Sequence, residues 1–419
     1  MRDILKILIY STQNDLTLKS LYNLAQSSKA FIVAGKRTPI GSFQGNLSSI
    51  PAPELGSIVI DSILRESAIS PTLVQEVIMG NVLPAGLGQA PARQAALGAG
   101  LPKSVECLTI NKMCGSGLKA VMLASQTIQT GNAEVVIAGG MENMSRSPYL
   151  LSKARDGYRL GHGKFIDSMI QDGLWDVYND KHMGNCAELC ARERNYSRED
   201  QDAVAIESYT RAQQAQKKEL FKNEIVPVSV PQKKGEPTRI SEDEEPGKAL
   251  FEKIPSLRPA FEKNGTITAA NASKINDGAA ALMITNSHIL KDQNFKNPFQ
   301  IISQASTAQE PEWFTTAPIQ AIQKVLKIAG LNAGDIDLWE INEAFAPVVM
   351  AAVDEFQLDW NCVNIKGGAI ALGHPIGASG ARILVTLIHS MTENNAKLGL
   401  ATLCIGGGEA SALIVEKVG

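Results

Sequence analysis

Cys114, His374 and Cys404 are the residues of this 419-residue chain whose neighbours best suit them to chemistry. Cys114 sits in Asn111-Lys112-Met113-Cys114-Gly115-Ser116-Gly117, His374 in Leu372-Gly373-His374-Pro375-Ile376-Gly377, and Cys404 in Leu403-Cys404-Ile405-Gly406-Gly407-Gly408. Glycine beside a thiol removes the side chain that would screen it from a substrate, and it leaves backbone N–H groups free to meet developing negative charge. An imidazole within reach of such a thiol can take its proton. These residue types together point to acyl transfer through a thioester.

The elements that must position them are legible nearby. The run Cys107-Leu108-Thr109-Ile110 predicts a short buried strand, and Leu118, Val121, Met122 and Ser125 then recur at helical spacing. Cys114 is therefore expected at a strand-to-helix turn, where unpaired N–H groups and the helix dipole favour a thiolate of lowered pKa. His374, between glycine and proline, cannot continue a helix; it precedes the turn Gly377-Ala378-Ser379-Gly380, which opens an apolar helix through Ile383, Leu384 and Leu387. Cys404 follows the strand-like Leu400-Ala401-Thr402-Leu403. Taken singly, a cysteine in a glycine-rich turn also fits an inert core position and a lone histidine a structural one.

Bulk composition narrows the class. With 44% hydrophobic and 20% charged residues and a net charge of −3, the chain can bury a substantial core in two or three domains. Its lysines and arginines are scattered, which excludes nucleic acid as a partner, and no apolar run approaches the roughly eighteen residues of a membrane span. The six cysteines read as reduced thiols rather than staples, and Cys186 with Cys190, lacking a second close pair, makes a poor metal site. A cytoplasmic location is expected, or a mitochondrial one if residues 1–30 form a transit peptide; that segment reads as an extension of uncertain role.

A duplication emerges when the two glycine-rich helix starts are aligned. A helical stretch from Leu55 to Ser67 leads through Val74–Ile78 to Gly80-Asn81, and one from Ile319 to Ala329 leads through Ile336–Ile341 to Asn342-Glu343. Val77 to Ser116 spans 39 positions and Trp339 to Ser379 spans 40. Each half ends in a strand and glycines, Val135–Gly140 and Cys404–Gly408. Two copies of one α/β unit predict a pseudo-twofold core with the reactive groups at the seam. The divisions expected are an N-terminal half over 31–144, a more polar inserted domain over 145–272, and a C-terminal half over 273–419 whose first ~20 residues are available to complete the N-terminal half. Within the insert, Ser197 with Asp200 predicts a capped helix, the acid run Glu242–Glu245 a solvated face, and Trp175–Gly184 and Gly265–Ser273 two close-approach loops.

Four blocks, Asn111–Ala120, Asn342-Glu343-Ala344-Phe345, Gly373–Gly377 and Cys404–Gly408, stand in the order of the signatures of the thiolase family, and the chain resembles that family from about Phe31 to its C-terminus. Its His182-Met183-Gly184 and Thr268–Ser273 are similar to loops of the acetyl-CoA acetyltransferase branch. The resemblance implies a layered αβαβα thiolase fold of two duplicated halves with an inserted loop domain that binds CoA. It implies reversible condensation of two acetyl-CoA to acetoacetyl-CoA and CoA, with Cys114 as nucleophile, His374 as its base, Cys404 as the base on the second acetyl-CoA, a water held by Asn342, and the N–H groups of Cys114 and Gly406 as oxyanion donors. Leu174, His182, Met183, Phe261, Ala269, Ser273 and Phe345 would line the CoA slot. No cofactor beyond the CoA thioesters is implied, apart from a potassium ion that one branch binds at positions matching Tyr209, Ala269, Ala270, Ala272 and Ile370. Tetramers built from tight dimers are the family habit. The pair Phe314-Thr315 departs from the Phe-Pro that accompanies branched substrates. A degradative 3-ketoacyl-CoA thiolase is the near alternative; a non-catalytic acyl-CoA or lipid carrier would be expected to lose a reactive residue, and a decarboxylating ketosynthase to carry histidine or asparagine in place of Cys404.

Overall fold

The computed structural model describes residues 29–293 and 295–418. The expectation for residues 1–30 lies outside the described residues, save for its last two. From Phe31 the chain forms β1 (Phe31–Arg37), α1 (Ala52–Ser67), β2 (Glu76–Gly80), α2 (Pro91–Gly98), β3 (Glu106–Ile110), α3 (Ser116–Gln129) and β4 (Val135–Asn143). A long excursion carrying α4 (Met183–Glu193) and α5 (Arg198–Lys217) follows, the latter opened by a capping box between Ser197 and Asp200. The chain then returns as β5 (Asn276–Thr285), β6 (Phe299–Ala308), α6 (Ala317–Ala329), β7 (Leu338–Ile341), α7 (Ala346–Phe356), α8 (Ala369–Leu372), α9 (Ile376–Glu393), β8 (Leu398–Ile405) and β9 (Glu409–Lys417).

The strands order as β7-β8-β9-β6-β1-β5-β4-β2-β3, with Gly41-Ser42 paired to β5 as the tenth strand. The path crosses from one half to the other between β1 and β6 through two residue pairs, Phe31 with Gln300 and Ile32 with Phe299. On either side the pattern repeats: outer strands run parallel (β2 with β3 and β4; β7 with β8), and inner ones antiparallel. That repetition is the structural form of the duplication.

Period-two alternation along the strands decides the layers. Ile78, Val136 and Leu282 of one half-sheet and Leu403, Leu413 and Val415 of the other face a common core around α3 and α9. The opposite faces, with Val77, Met79 and Ile137 in one half and Trp339, Leu400 and Ile414 in the other, are covered by α1 and α2 and by α6 and α7. The result is an αβαβα stack, as expected, with α3 and α9 as its central layer. These two helices meet backbone to backbone: a Cβ on Gly117 would lie 2.7 Å from Ala381 N, and one on Gly380 would lie 2.4 Å from Leu118 N.

Two local expectations change. The strand at Cys107–Ile110 is not buried, because β3 is the last strand of the sheet and leaves Leu108 44% exposed. Nor is Glu242–Glu245 a solvated face. Asp243 is buried and receives both Arg37 Nη1 (2.7 Å) and Nη2 (2.9 Å), while Arg37 Nε donates to Glu224 (2.6 Å). A guanidinium sealed at the end of β1 needs acidic acceptors, and the insert supplies them.

Candidate active site

Between β3 and α3 the chain turns through a strained elbow. Met113, not a glycine, has φ of +47°, a conformation that persists only where neighbours hold it. They do: Ser116 Oγ accepts from Lys112 N (2.8 Å) and donates to Met113 O (2.6 Å), and Asn111 Oδ1 accepts from Met113 N (2.9 Å). Cys114 is thereby presented with the backbone N–H groups of Gly406 and of Cys114 itself aimed at its sulfur. The expected lowering of its pKa does not occur. Burial pushes the thiol up to about 11, outweighing both N–H donors, and the nearby Glu142 adds to the rise. Cys114 rests as a thiol and needs a base.

That base follows Gly373, whose φ of +109° lets the chain leave α8 and turn at once into α9. His374 N donates to Asn276 Oδ1 (3.0 Å). Ser379 Oγ, one turn into α9, donates to Pro375 O (2.9 Å), so its oxygen accepts from His374 Nδ1. The ring therefore carries its proton on Nδ1 and leaves the Nε2 lone pair free, an assignment made from the network. Nε2 is buried with no partner among the described residues. Burial, with Arg382 adding, lowers the imidazole pKa to about 3, so His374 is neutral at any working pH.

Cys404, near the end of β8, is 1% exposed. Burial raises its pKa well above the usual thiol value, with the Cys114 sulfur the next contributor, which places the two thiols within electrostatic reach of each other. After it the β8–β9 hairpin turns through Gly406-Gly407-Gly408, the last two at φ +89° and +81°. A Cβ on Gly408 would lie 2.4 Å from Gln309 O. The ion pair between Lys112 and Glu409 ties this hairpin to the Cys114 elbow. Asn342, just past β7, donates its N–H to Thr402 O (3.0 Å), yet its Oδ1 and Nδ2 are buried without partners among the described residues.

Cys114, His374 and Gly406 line one cavity of about 260 Å³ together with Leu174, His182, Met183, Phe261, Ser273 and Phe345. Cys404 packs directly behind it among Met183, Phe314 and Phe345. Of the slot residues expected, Ala269 alone is outside the lining; its side chain is exposed. The walls are aromatic: His182 stacks on Phe261 (4.8 Å between rings), and Phe345 meets Phe261 and Phe314 edge-on (6.1 Å each). His182 also caps α4, its Nδ1 accepting from Gly184 N (3.0 Å), which puts the proton of the neutral ring on Nε2. Such a slot, apolar with a few fixed polar groups and a thiol, suits a thin, flexible acyl carrier.

Among the positions expected to hold potassium, Tyr209, Ala270, Ala272 and Ile370 are buried and Ala269 is exposed. Lys274 Nζ lies among them, donating to Ile370 O (3.1 Å) and Ala272 O (3.3 Å) and facing the Tyr209 ring at 5.1 Å.

Sequence reasoning passed over three residues that shape this site. Ser379 orients the imidazole; its signal was a hydroxyl five positions after a histidine in a first helical turn. Glu142, fully buried at the end of β4, accepts from Asn81 Nδ2 (2.7 Å), Val82 N (2.9 Å), Leu83 N (3.2 Å) and Gly377 N (2.9 Å), joining the two halves beneath the cavity. Burial lifts its pKa to about 7 while those N–H groups pull it down. Lys274 is the third, a charged side chain inside an otherwise small-residue loop.

Comparison with known proteins bears on this geometry. The family model for the thiolase N-terminal domain matches residues 30–288, and that for the thiolase C-terminal domain residues 296–417. The chain is 50% identical over 393 residues to an acetyl-CoA acetyltransferase of Schizosaccharomyces pombe, covering 94% of this chain and 100% of the relative. It is 51% identical over 387 residues to an acetyl-CoA acetyltransferase of Cupriavidus necator, covering 92% and 98%. The Acat5 thiolase from Ascaris suum, solved in complex with coenzyme A, superposes with a TM-score of 0.88 at 43% identity, covering 93% of this chain and all of that one. Two glycine-flanked thiols and an imidazole gathered at the seam of a duplicated αβαβα core, together with these matches along nearly its whole length, make the chain a member of the thiolase family.

Proposed function

We propose that this protein is an acetyl-CoA C-acetyltransferase, and the observation that carries the reading is the convergence of Cys114, His374 and Gly406 on one apolar cavity with Cys404 immediately behind. His374 Nε2 takes the proton of Cys114, whose sulfur attacks the thioester carbonyl of acetyl-CoA. The N–H groups of Gly406 and Cys114 face the oxyanion, each such donor being worth about 3 kcal/mol of barrier. As CoA leaves, its sulfur takes the proton of Cys404, which is available because burial keeps that thiol protonated at rest. The Cys404 thiolate then removes an α-proton from a second acetyl-CoA. The carbanion forms a C–C bond to the acetyl group on Cys114, the C–S bond breaks, and Cys114 recovers its proton from His374 as acetoacetyl-CoA departs.

The orphaned Asn342 amide suits a water, and His374 Nε2, once it carries the proton of Cys114, can donate to a thioester oxygen. The segment 145–272 serves as the CoA-binding insertion, since α4 and its preceding loop supply Leu174, His182 and Met183. The six free thiols favour a reducing compartment such as the cytoplasm, and family likeness favours a tetramer. Incubation with acetyl-CoA is expected to add one acetyl group to the peptide containing Cys114. Cys114→Ala should abolish the adduct, whereas Cys404→Ser should keep it and lose condensation by orders of magnitude. An adduct that survives Cys114→Ala rejects the assignment, and thiolysis that favours 3-keto-octanoyl-CoA over acetoacetyl-CoA moves the protein to the broader thiolase class.

A further inference from the structure

Where the loop from Thr266 to Ser273 meets α8, one carbonyl of each, Ala272 O and Ile370 O, meets a side chain rather than a backbone N–H. Ile370 sits in a helix of one turn, whose last carbonyls have no intrahelical donor. Ile370 is fully buried and Ala272 is 6% exposed, so their oxygens need a partner from within the protein. Lys274 Nζ supplies it to both, and its remaining N–H faces the Tyr209 ring within the range of a cation–π contact.

Negative charge completes the arrangement. Glu343 and Glu245 both act on the ammonium and favour its charged form, against a burial that lowers its pKa to about 8. Glu343 also accepts from Ile370 N (3.2 Å), from Ser208 Oγ (2.7 Å) and from Asn364 Nδ2 (2.8 Å). Both backbone polar groups of Ile370 are thus held, one by a carboxylate and the other by an ammonium. Four residues later stands His374, and Lys274 stands in the cavity wall beside Ser273.

We propose that Lys274 is a built-in cation: its ammonium fills the carbonyl cradle of Ala272 and Ile370 beside Tyr209, excludes an external potassium ion, and positions the Ser273 loop and the approach to His374. The residues expected to bind potassium therefore do not fit it in this chain, because the Ala272 and Ile370 carbonyls already accept from Nζ and a second positive charge would sit against that ammonium. Lys274 is a positioning residue, and the inference draws on the proposed activity only for its kinetic readout.

The test compares melting of the whole protein in potassium chloride and in tetramethylammonium chloride at equal ionic strength. The wild-type midpoint is expected to agree within about 1 °C, and that of Lys274→Ala to fall by several degrees without potassium and to recover in part with it. In thiolysis, the variant's KM for CoA should rise about tenfold without potassium and drop severalfold on adding it, while the wild-type value stays constant. A wild-type midpoint or KM that responds to potassium as the variant does overturns the proposal. So does a variant with unchanged midpoint and no potassium response. If Lys274→Ala does not fold, Lys274→Met retains the apolar stem, and the wild-type comparison stands by itself. Loss of thiolysis with the melting pattern intact would count against the proposed activity alone.

Discussion

Replacing Ser379 with alanine tests whether the imidazole is held in the one tautomer that can act as a base. In the wild type the Ser379 hydroxyl spends its proton on Pro375 O, so its oxygen accepts from Nδ1 and keeps Nε2 bare. His374 is 5% exposed and Ser379 1%, so no water replaces a lost partner. A buried N–H stripped of its acceptor costs about 1–3 kcal/mol. That cost falls on the reactive tautomer, and at about 1.4 kcal/mol per tenfold the reactive fraction drops by a factor between about 5 and about 140. The single-turnover rate of Cys114 acetylation should fall by that factor. The KM for acetyl-CoA should barely move, since Ser379 is absent from the cavity wall. Near-UV spectra and melting midpoint guard against a folding explanation. An acylation rate within about twofold of wild type would mean that Ser379 does not set the tautomer and that the derivation of the base from the hydrogen-bond network is wrong.

Further outcomes follow from the same geometry. With His374 lowered to about 3 and Cys114 raised to about 11, the base form and the thiol form coexist across the whole working range. The imidazole loses basicity only as pH falls toward its folded pKa, so the acetylation rate should be flat from about pH 5 to 9; an acid limb centred near pH 6.5 would show a solvated histidine instead. Glu142→Gln puts an amide N–H₂ among four donors, and should destabilise the protein by about 1–3 kcal/mol in denaturant titration and slow acetylation, because the loop at Asn81–Leu83 and the start of α9 both lean on that carboxyl group. Unchanged stability would show that those donors find other acceptors.

Much of this molecule is written locally. The strand-to-helix turn at Cys114, the glycine-proline brackets around His374, the glycine triplet after Cys404 and the Ser197 cap are all short-range patterns, since backbone freedom, periodicity and capping act within a few residues. The repeat of those patterns at nearly equal spacing was enough to expect a pseudo-twofold α/β core. Ionisation was not legible in the same way. The helix start at Cys114 argued for a thiolate, but desolvation by the folded core is the larger effect and reverses the conclusion. Contacts between distant segments were equally silent: Asp243 reaches Arg37 across 206 positions, Glu142 reaches Gly377 across 235, and Lys274 reaches Ile370 across 96. Local order along the chain is enough to tell which groups could react and which elements would carry them. Their protonation, their tautomer and the carbonyls that the Lys274 ammonium reaches emerge only on folding, because they depend on burial and on partners that chain order does not bring together.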